Sequence, residues 1–210
     1  MDATDTRVDE IADGIYRIST FVPDVECGAM NEFLAVAPRA QVAHGLQGCL
    51  VSLDDLADRP PRPLAHGETL DLGGKEVLRR RVLHLNTPHV PHNWEARVLF
   101  EETTGTLLCG DLFTHLGNGP PVTDHDLVEP ALDAEEVFRQ TSCLTAAVET
   151  LRSLARLAPS TLAVMHGSSY GGDGAAALRA LADGYQERFG PEREFAARPS
   201  ALAGASAPQG

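Results

Sequence analysis

"NTPHVPHNWE", residues 86–95, sets His89 and His92 three apart, each beside a proline, with the chain's only Trp, Trp94, close behind. The two histidines have three readings: metal ligands, loop punctuation, or buried core histidines. The choice depends on what else the fold brings to the same place. His89 follows the strand-like "RRRVLHL" across a tight turn, Asp111 ends "TLLCGD", and His166 closes "TLAVMHG" apart from its glycine. Strand ends gathered on one rim can converge on a point, and rigid strands hold ligands better than loops do. Imidazole and carboxylate suit first-row metals, and a carboxylate has two oxygens with which to bridge two ions. Each residue also has a plain structural role available. A histidine after a strand is more often hydrogen-bonded than metal-bound, an Asp after Gly is a common turn or cap, and His166 before "GSS" can simply orient a loop.

Outward from these three ends the chain alternates short strands with hairpins and helices. "GIYRISTFV" reads as an opening strand, "ECGAMNEFLAVAP" as a short helix stopped by Pro38, and "AQVAHG" as a short buried strand. "LADRPPRPLAHGET" is a Pro-rich loop, and "LDLGGKEVLRRRVLHL" a hairpin turned on Gly73-Gly74. "ARVLF" and "GTLLCGD" form a second hairpin through "EETTG". "DAEEVFRQTSCLTAAVETLRSLARL", residues 133–157, predicts one long helix, acidic at its start and basic at its end. A strand at "STLAVMHG", a Gly/Ser loop and an Ala-rich helix capped by Asp173 complete the core. The expected organisation is a flexible N-terminus over 1–10, one domain over 11–190 and a disordered tail over 191–210. The fold class is α/β (α+β), with sheets covered by helices rather than a regular βαβ winding.

Composition excludes several functions. A net charge of −13 and a pI near 4.9 argue against a nucleic-acid partner, because a duplex binder needs a basic face. No apolar run is long enough to span a bilayer, and acidity disfavours anionic membrane surfaces. The acidic "MDATDTRVDE" is unlike a signal peptide. Cys27, Cys49, Cys109 and Cys143 form no C-x-x-C pair and read as reduced, mostly buried thiols of a cytoplasmic protein.

"TPHVPHNWE", "LLCGDLFTH" and "LAVMHGS", in that order, together with "DGIYRIST", resemble the metallo-β-lactamase fold superfamily. The likeness is to the branch related to the oxygen-binding di-iron domain of flavodiiron proteins. It implies an αββα sandwich with two divalent metal ions, iron or zinc, on one edge. Carried over by position, His89 matches a ligand of the first metal, Asp111 the bridging and catalytic aspartate, and His166 a ligand of the second. His92 falls where members vary, which implies a supporting or substrate-facing role, and Trp94 packs at the rim. The activity implied is metal-dependent hydrolysis of a small-molecule substrate, or binding and reduction of dioxygen.

The family's defining H-x-H-x-D-H, or H-x-E-x-D in the di-iron branch, is absent: no H-x-[HE]-x-D occurs in this chain. "RISTFVPD" runs almost at once into "VECGAMNEFLAVAPRAQVAHG", as if early strands and the ligand motif were missing between about Asp24 and Glu26. Each metal is then left with two of the three named ligands, where a catalytic zinc site has three protein ligands plus water. Asp24 and Glu26 are substitute-ligand candidates beside the gap, with His92. The expectations are a sandwich short of N-terminal strands, an uncovered apolar face favouring instability or a homo-oligomer, and impaired metal binding. A non-catalytic, degenerate or truncated family member is the alternative. "GDGAAA", residues 172–177, formally fits a dinucleotide fingerprint, but a loop separates it from the strand and no strand follows. Ser168 and Ser169 lack a G-x-S-x-G elbow, which leaves a serine hydrolase weakly supported.

Overall fold

Seven short strands, most of them alternating or continuously apolar, share one mixed sheet in the computed structural model, which describes residues 7–19, 34–72 and 80–190. The strands in chain order are β1 Arg7–Ala12, β2 Ile15–Ser19, β3 Ala43–Gly45, β4 Arg62–Leu64, β5 Thr69–Asp71 and β6 Arg81–Asn86. They continue with β7 Arg97–Glu101, β8 Thr106–Gly110, β9 Val122–Thr123, β10 Thr161–Val164 and β11 Ser169–Gly171. The large sheet has the order β5-β6-β7-β8-β10-β11-β9, while β1-β2 and β3-β4 form separate two-stranded sheets. The expected strands at 14–22, 40–45, 96–100, 105–111 and 160–167 each overlap an observed one, and β6 lies at the end of the expected 70–85 hairpin. Both hairpins are present, β5-β6 and β7-β8. The Gly73-Gly74 turn, most of the first helix, Cys27, the chain start at 1–6 and the tail at 191–210 lie outside the described residues.

Register assigns the two faces of the large sheet. Leu85, Val98, Phe100, Leu107, Cys109, Leu162 and Val164 share one face and form a single buried core with three helices. These are α1 Val128–Phe138, α2 Leu144–Leu154 and α3 Gly174–Phe189. Asp173 caps α3 as expected, its Oδ1 accepting from Ala176 N at 2.8 Å. The opposite face carries His84, Asn86, Arg97 and Glu101 among Leu99, Leu108 and Ala163, and those three apolar residues are only half-buried. Besides the seven-stranded sheet the described residues contain only the two-stranded pairs β1-β2 and β3-β4, in line with the shortage the sequence predicts.

The single helix expected over 133–157 is two helices and a 3₁₀ turn, Ala155–Leu157. Arg139 turns left-handed at φ 49°, closing α1 through its N–H to Glu135 O at 2.9 Å. The residues that follow are held by side-chain bonds instead of continuing the helix. The Gly/Ser loop contains β11, and the Pro-rich loop contains β4. Residues 46–56, which the periodicity does not single out, are helical with a π-turn at Cys49–Leu53.

The β1-β2 hairpin is tied to the rest by Arg80 to Asp13 at 2.9 Å and by Arg17 to the Gly167 carbonyl. Its outward face presents Val8 at 59%, Tyr16 at 57% and Ile18 at 51% exposure, with Val8 directly opposite Ile18. A two-stranded sheet is marginal alone, and an apolar face in water favours association. The wild-type chain is expected to self-associate with concentration in sedimentation velocity. Tyr16→Ser with Ile18→Ser should shift it toward monomer while changing stability by no more than about 0.5 kcal/mol. A wild type that stays monomeric throughout would show that the open face is tolerated.

The β7-β8 turn closes on Glu101, whose oxygens accept from Thr103 N at 2.9 Å, Thr104 N at 2.8 Å and Thr104 Oγ1 at 2.5 Å. Burial works to raise this carboxyl, but the bonds from Thr104 and Thr103 outweigh it and leave the group below its ordinary value. A lowered folded-state pKa adds stability that is complete above the unfolded value, about 4.3, and is lost as pH falls through the folded value. Glu101→Gln should therefore lose stability at neutral pH and show a flatter acid-unfolding profile in denaturant titrations at stepped pH. Parallel profiles for both proteins would contradict this assignment.

Candidate metal centre at the sheet edge

β6 and β8 both run antiparallel to β7, and β8 runs parallel to β10. The C-terminal ends of β6, β8 and β10 therefore open on the same edge, and His89, Asp111 and His166 follow those three ends. Asp111 is the centre of the group, 19% exposed at its side chain. Its Oδ2 lies 2.9 Å from His92 Nε2, and its Oδ1 lies 3.3 Å from His166 Nε2. His89 makes a different contact, with Nδ1 3.0 Å from Ser142 Oγ. The structure thus brings Asp111, His166 and His92 into contact and sets His89 against the segment between α1 and α2. Trp94 is half-exposed at the rim. Asp24 and Glu26 lie outside the described residues.

Among the described residues, three of the four non-glycine residues with positive φ stand on the segments that build this edge: His89 at 69°, Phe113 at 65° and Arg139 at 49°. Such conformations cost of order 1–3 kcal/mol each and persist where the surroundings enforce them. Phe113 is fully buried in the core, and the turn around it is closed by Leu112 N to Cys109 O at 3.1 Å and Thr114 N to Asp111 O at 3.1 Å. Burial pushes the Cys109 thiol up, which marks it as a packing residue rather than a thiolate ligand.

His115 organises the loop that carries His166. Its Nδ1 lies 2.9 Å from Phe113 O, its Nε2 accepts from Ser168 N at 2.9 Å, and its own N–H donates to His166 O at 3.2 Å. This pattern requires a neutral ring with the proton on Nδ1. Gly167, at φ 100°, lets the ring lie against its backbone, since a Cβ there would come within 2.3 Å of the imidazole. Neither the imidazole's role nor this glycine's is evident from spacing, because both depend on how the turn after Asp111 meets the turn after His166.

The segment between α1 and α2 is fixed from below by Glu135, 5% exposed. Its Oε1 accepts from Thr141 N at 3.1 Å and its Oε2 from Thr141 Oγ1 at 2.9 Å, with Tyr185 OH 3.4 Å from that hydroxyl. Burial raises the Glu135 carboxyl, opposed by the bonds from Thr141 and the nearby His92 charge. Thr141 also forms an isolated parallel bridge with His92. The sequence signal was available in "RQTSC": Thr and Ser inside a helical pattern favour breaks, because their side chains compete for backbone groups.

Searches of known structures return the same architecture. Rubredoxin oxygen:oxidoreductase from Desulfovibrio gigas matches at TM-score 0.61 and 20% identity over 77% of this chain and 40% of that one. A putative diflavin flavoprotein fragment from a Nostoc species matches at 0.64 and 20% over 80% and 65%. A chemotaxis sensor solved as a peroxy diiron species matches at 0.55 and 16% over 76% and 69%. This chain has the metallo-β-lactamase fold. It spans less than two thirds of the first two matched chains. No protein-family model and no curated protein matches the sequence.

The metallo-β-lactamase fold implies metal on this edge, and the donors fit that expectation in part. Two ligand atoms bonded to one ion at about 2.0–2.1 Å and at right angles stand about 3 Å apart. The 2.9 and 3.3 Å separations at Asp111 match that spacing, one imidazole to each carboxylate oxygen. The residues therefore fit an open half-site on Asp111. They do not fit a closed dinuclear centre: among the described residues no three His, Cys, Asp or Glu are grouped to hold a metal.

His115→Ala removes the acceptor of Ser168 N–H and the ring that backs Gly167. The expected result is a stability loss of about 1–3 kcal/mol, the cost of an unpaired buried donor. Amide exchange should accelerate at Gly167, Ser168 and Ser169 more than in α2. Uniform acceleration across the chain would mean that His115 supports the fold in general and not this loop.

Proposed function

We propose that this chain is a metallo-β-lactamase-fold metalloprotein of the di-iron, oxygen-binding kind, with its centre reduced to two separate pairs on Asp111, His92 at one carboxylate oxygen and His166 at the other. The carrying observation is that each oxygen of one half-buried carboxylate faces the Nε2 of a different imidazole. Support comes also from the similarity to oxygen-handling and di-iron proteins, whose names tie that fold to dioxygen chemistry.

An iron ion bound here would supply the capacity to bind and reduce dioxygen. The protein's own part is to place the donors. Asp111 offers two anionic oxygens, His166 and His92 flank it, and His89 stands on the same edge. Carboxylate and imidazole without thiolate favour iron or manganese over softer-metal sites. Occupancy is low and weak on this reading, since at most two of these side chains serve each oxygen's side of the centre. The reactant is dioxygen or another small molecule, the protein sits in the cytoplasm, and it self-associates through its uncovered hairpin face. No helix among the described residues is long and apolar enough to cross a membrane.

Anaerobic loading with iron(II), desalting and elemental analysis test the proposal. Wild type should retain substoichiometric iron, and Asp111→Asn should retain at least tenfold less, because the amide removes the charge and one acceptor oxygen. Zinc loading with ester hydrolysis, at the same residues, would redirect the reading to a hydrolase. Two ions per chain surviving a chelator would mean that other residues complete the centre. Equal, negligible retention in wild type and variant would establish the non-catalytic alternative.

A further inference from the structure

The break between α1 and α2 interrupts a segment whose pattern is otherwise helical, and two of its contacts, at Thr141 and Ser142, reach the histidine loop. Glu135 is a buried carboxylate that contributes nothing to the sheet edge itself. Both its oxygens are spent on Thr141, through the backbone N–H at 3.1 Å and the hydroxyl at 2.9 Å. Thr141 pairs through its backbone with His92, and the next residue, Ser142, meets His89 Nδ1 at 3.0 Å. Placing a carboxylate in a buried position is costly unless its acceptors are filled, and here Thr141 fills them with help from the Gln140 backbone. The same residues in a continuous helix would leave Glu135 unpaired and carry Thr141 and Ser142 away from residues 89–92.

Resting on the metal-site proposal above, we infer that this break is a positioning device for the two-histidine loop, in which Glu135 fixes the break and Ser142 fixes the imidazole of His89. With Nδ1–H donating to Ser142 Oγ, His89 keeps its Nε2 lone pair for a ligand on the edge that Asp111 and His166 share. Bonding of the second ring nitrogen sets tautomer and orientation for ligating histidines in general. Ser142 is exposed and so contributes little to the core. Its removal therefore separates positioning from folding.

The test uses the full chain in three variants, with long-range proton–nitrogen NMR on the metal-free protein and iron(II) retention after desalting. Wild type should show His89 as a single Nδ1–H tautomer. Ser142→Ala should leave the melting temperature unchanged, mix the tautomers and lower retained iron about fivefold or more, and Ser142→Thr should restore both. Glu135→Gln, which keeps an acceptor for Thr141 N, should resemble wild type, while Glu135→Ala should resemble Ser142→Ala at temperatures where it remains folded. A wild-type His89 that is already mixed, or a Ser142→Ala protein with wild-type tautomer and iron retention, overturns the inference. If wild type holds no iron yet Ser142→Ala still mixes the tautomers, the positioning role stands and the metal reading fails.

Discussion

The parallel pairing of β8 with β10 is the constraint on which the rest depends. Parallel strands end on the same side, so Gly110-Asp111 and Val164–His166 must emerge together. β7 runs antiparallel to both β6 and β8, which sends the end of β6 to that edge as well. Three ligand-type residues reach one edge because of strand direction, and of these Asp111 and His166 touch while His89 turns to Ser142. The central position of β8 in the sheet order also gives Asp111 neighbours on both flanks. A carboxylate there can address two imidazoles at once, one per oxygen.

The two faces of the same sheet meet opposite fates. On one, continuous apolar registers from β6 to β10 bury against α1, α2 and α3, which supplies the hydrophobic driving force for the domain. On the other, polar side chains are paired only in part: among the described residues His84 Nε2, Asn86 Oδ1 and Arg97 Nε are buried without a hydrogen-bond partner. His84 Nδ1 lies 2.9 Å from Ala65 O, Glu101 closes its own hairpin turn, and Arg97 reaches Gln47 at 2.6 Å. A complete sandwich would ask this face to be apolar. Hydrogen bonds to nearby loops take the place of a second sheet over part of it, while Leu99, Leu108 and the outer side of the hairpin stay partly open.

Strands and their ends were legible because alternation and turn residues are local signals, and the site residues that follow strand ends could be named from them. His92 was harder: its contact with Asp111 depends on how the Pro-flanked loop folds back, and its supporting role was implied only by the family resemblance. Glu135, Thr141, Ser142 and His115 were not legible as site residues. "DAEEVFRQTSCLTAAVETL" has helical periodicity throughout, and the bond energy that breaks it comes from a tertiary arrangement in which Thr141 satisfies a buried carboxylate. His115 depends on the left-handed backbone of Gly167 and Phe113, which no local pattern specifies. The absence of the ligand motif was visible at once, since it is a statement about sequence.

A carboxylate flanked by two imidazoles is chemically complete without metal as well as with it. A contact of 2.9 Å between Asp111 and His92 needs a proton between them, and a metal ion would use the same two atoms. Hydrogen bond and ion therefore compete for the same two atoms, and binding metal at His92 Nε2 would require that atom to be free of its proton. In a closed centre a third and fourth ligand tip that competition toward the ion. Here the missing motif removes them, so the balance falls to whatever orients the remaining histidines. His89 is the one histidine of the four-residue group that does not spend a nitrogen on Asp111; its Nδ1 goes to Ser142 instead. That difference leaves the orientation of His89 to the geometry of the α1–α2 break, whereas His92 and His166 are oriented by Asp111 itself.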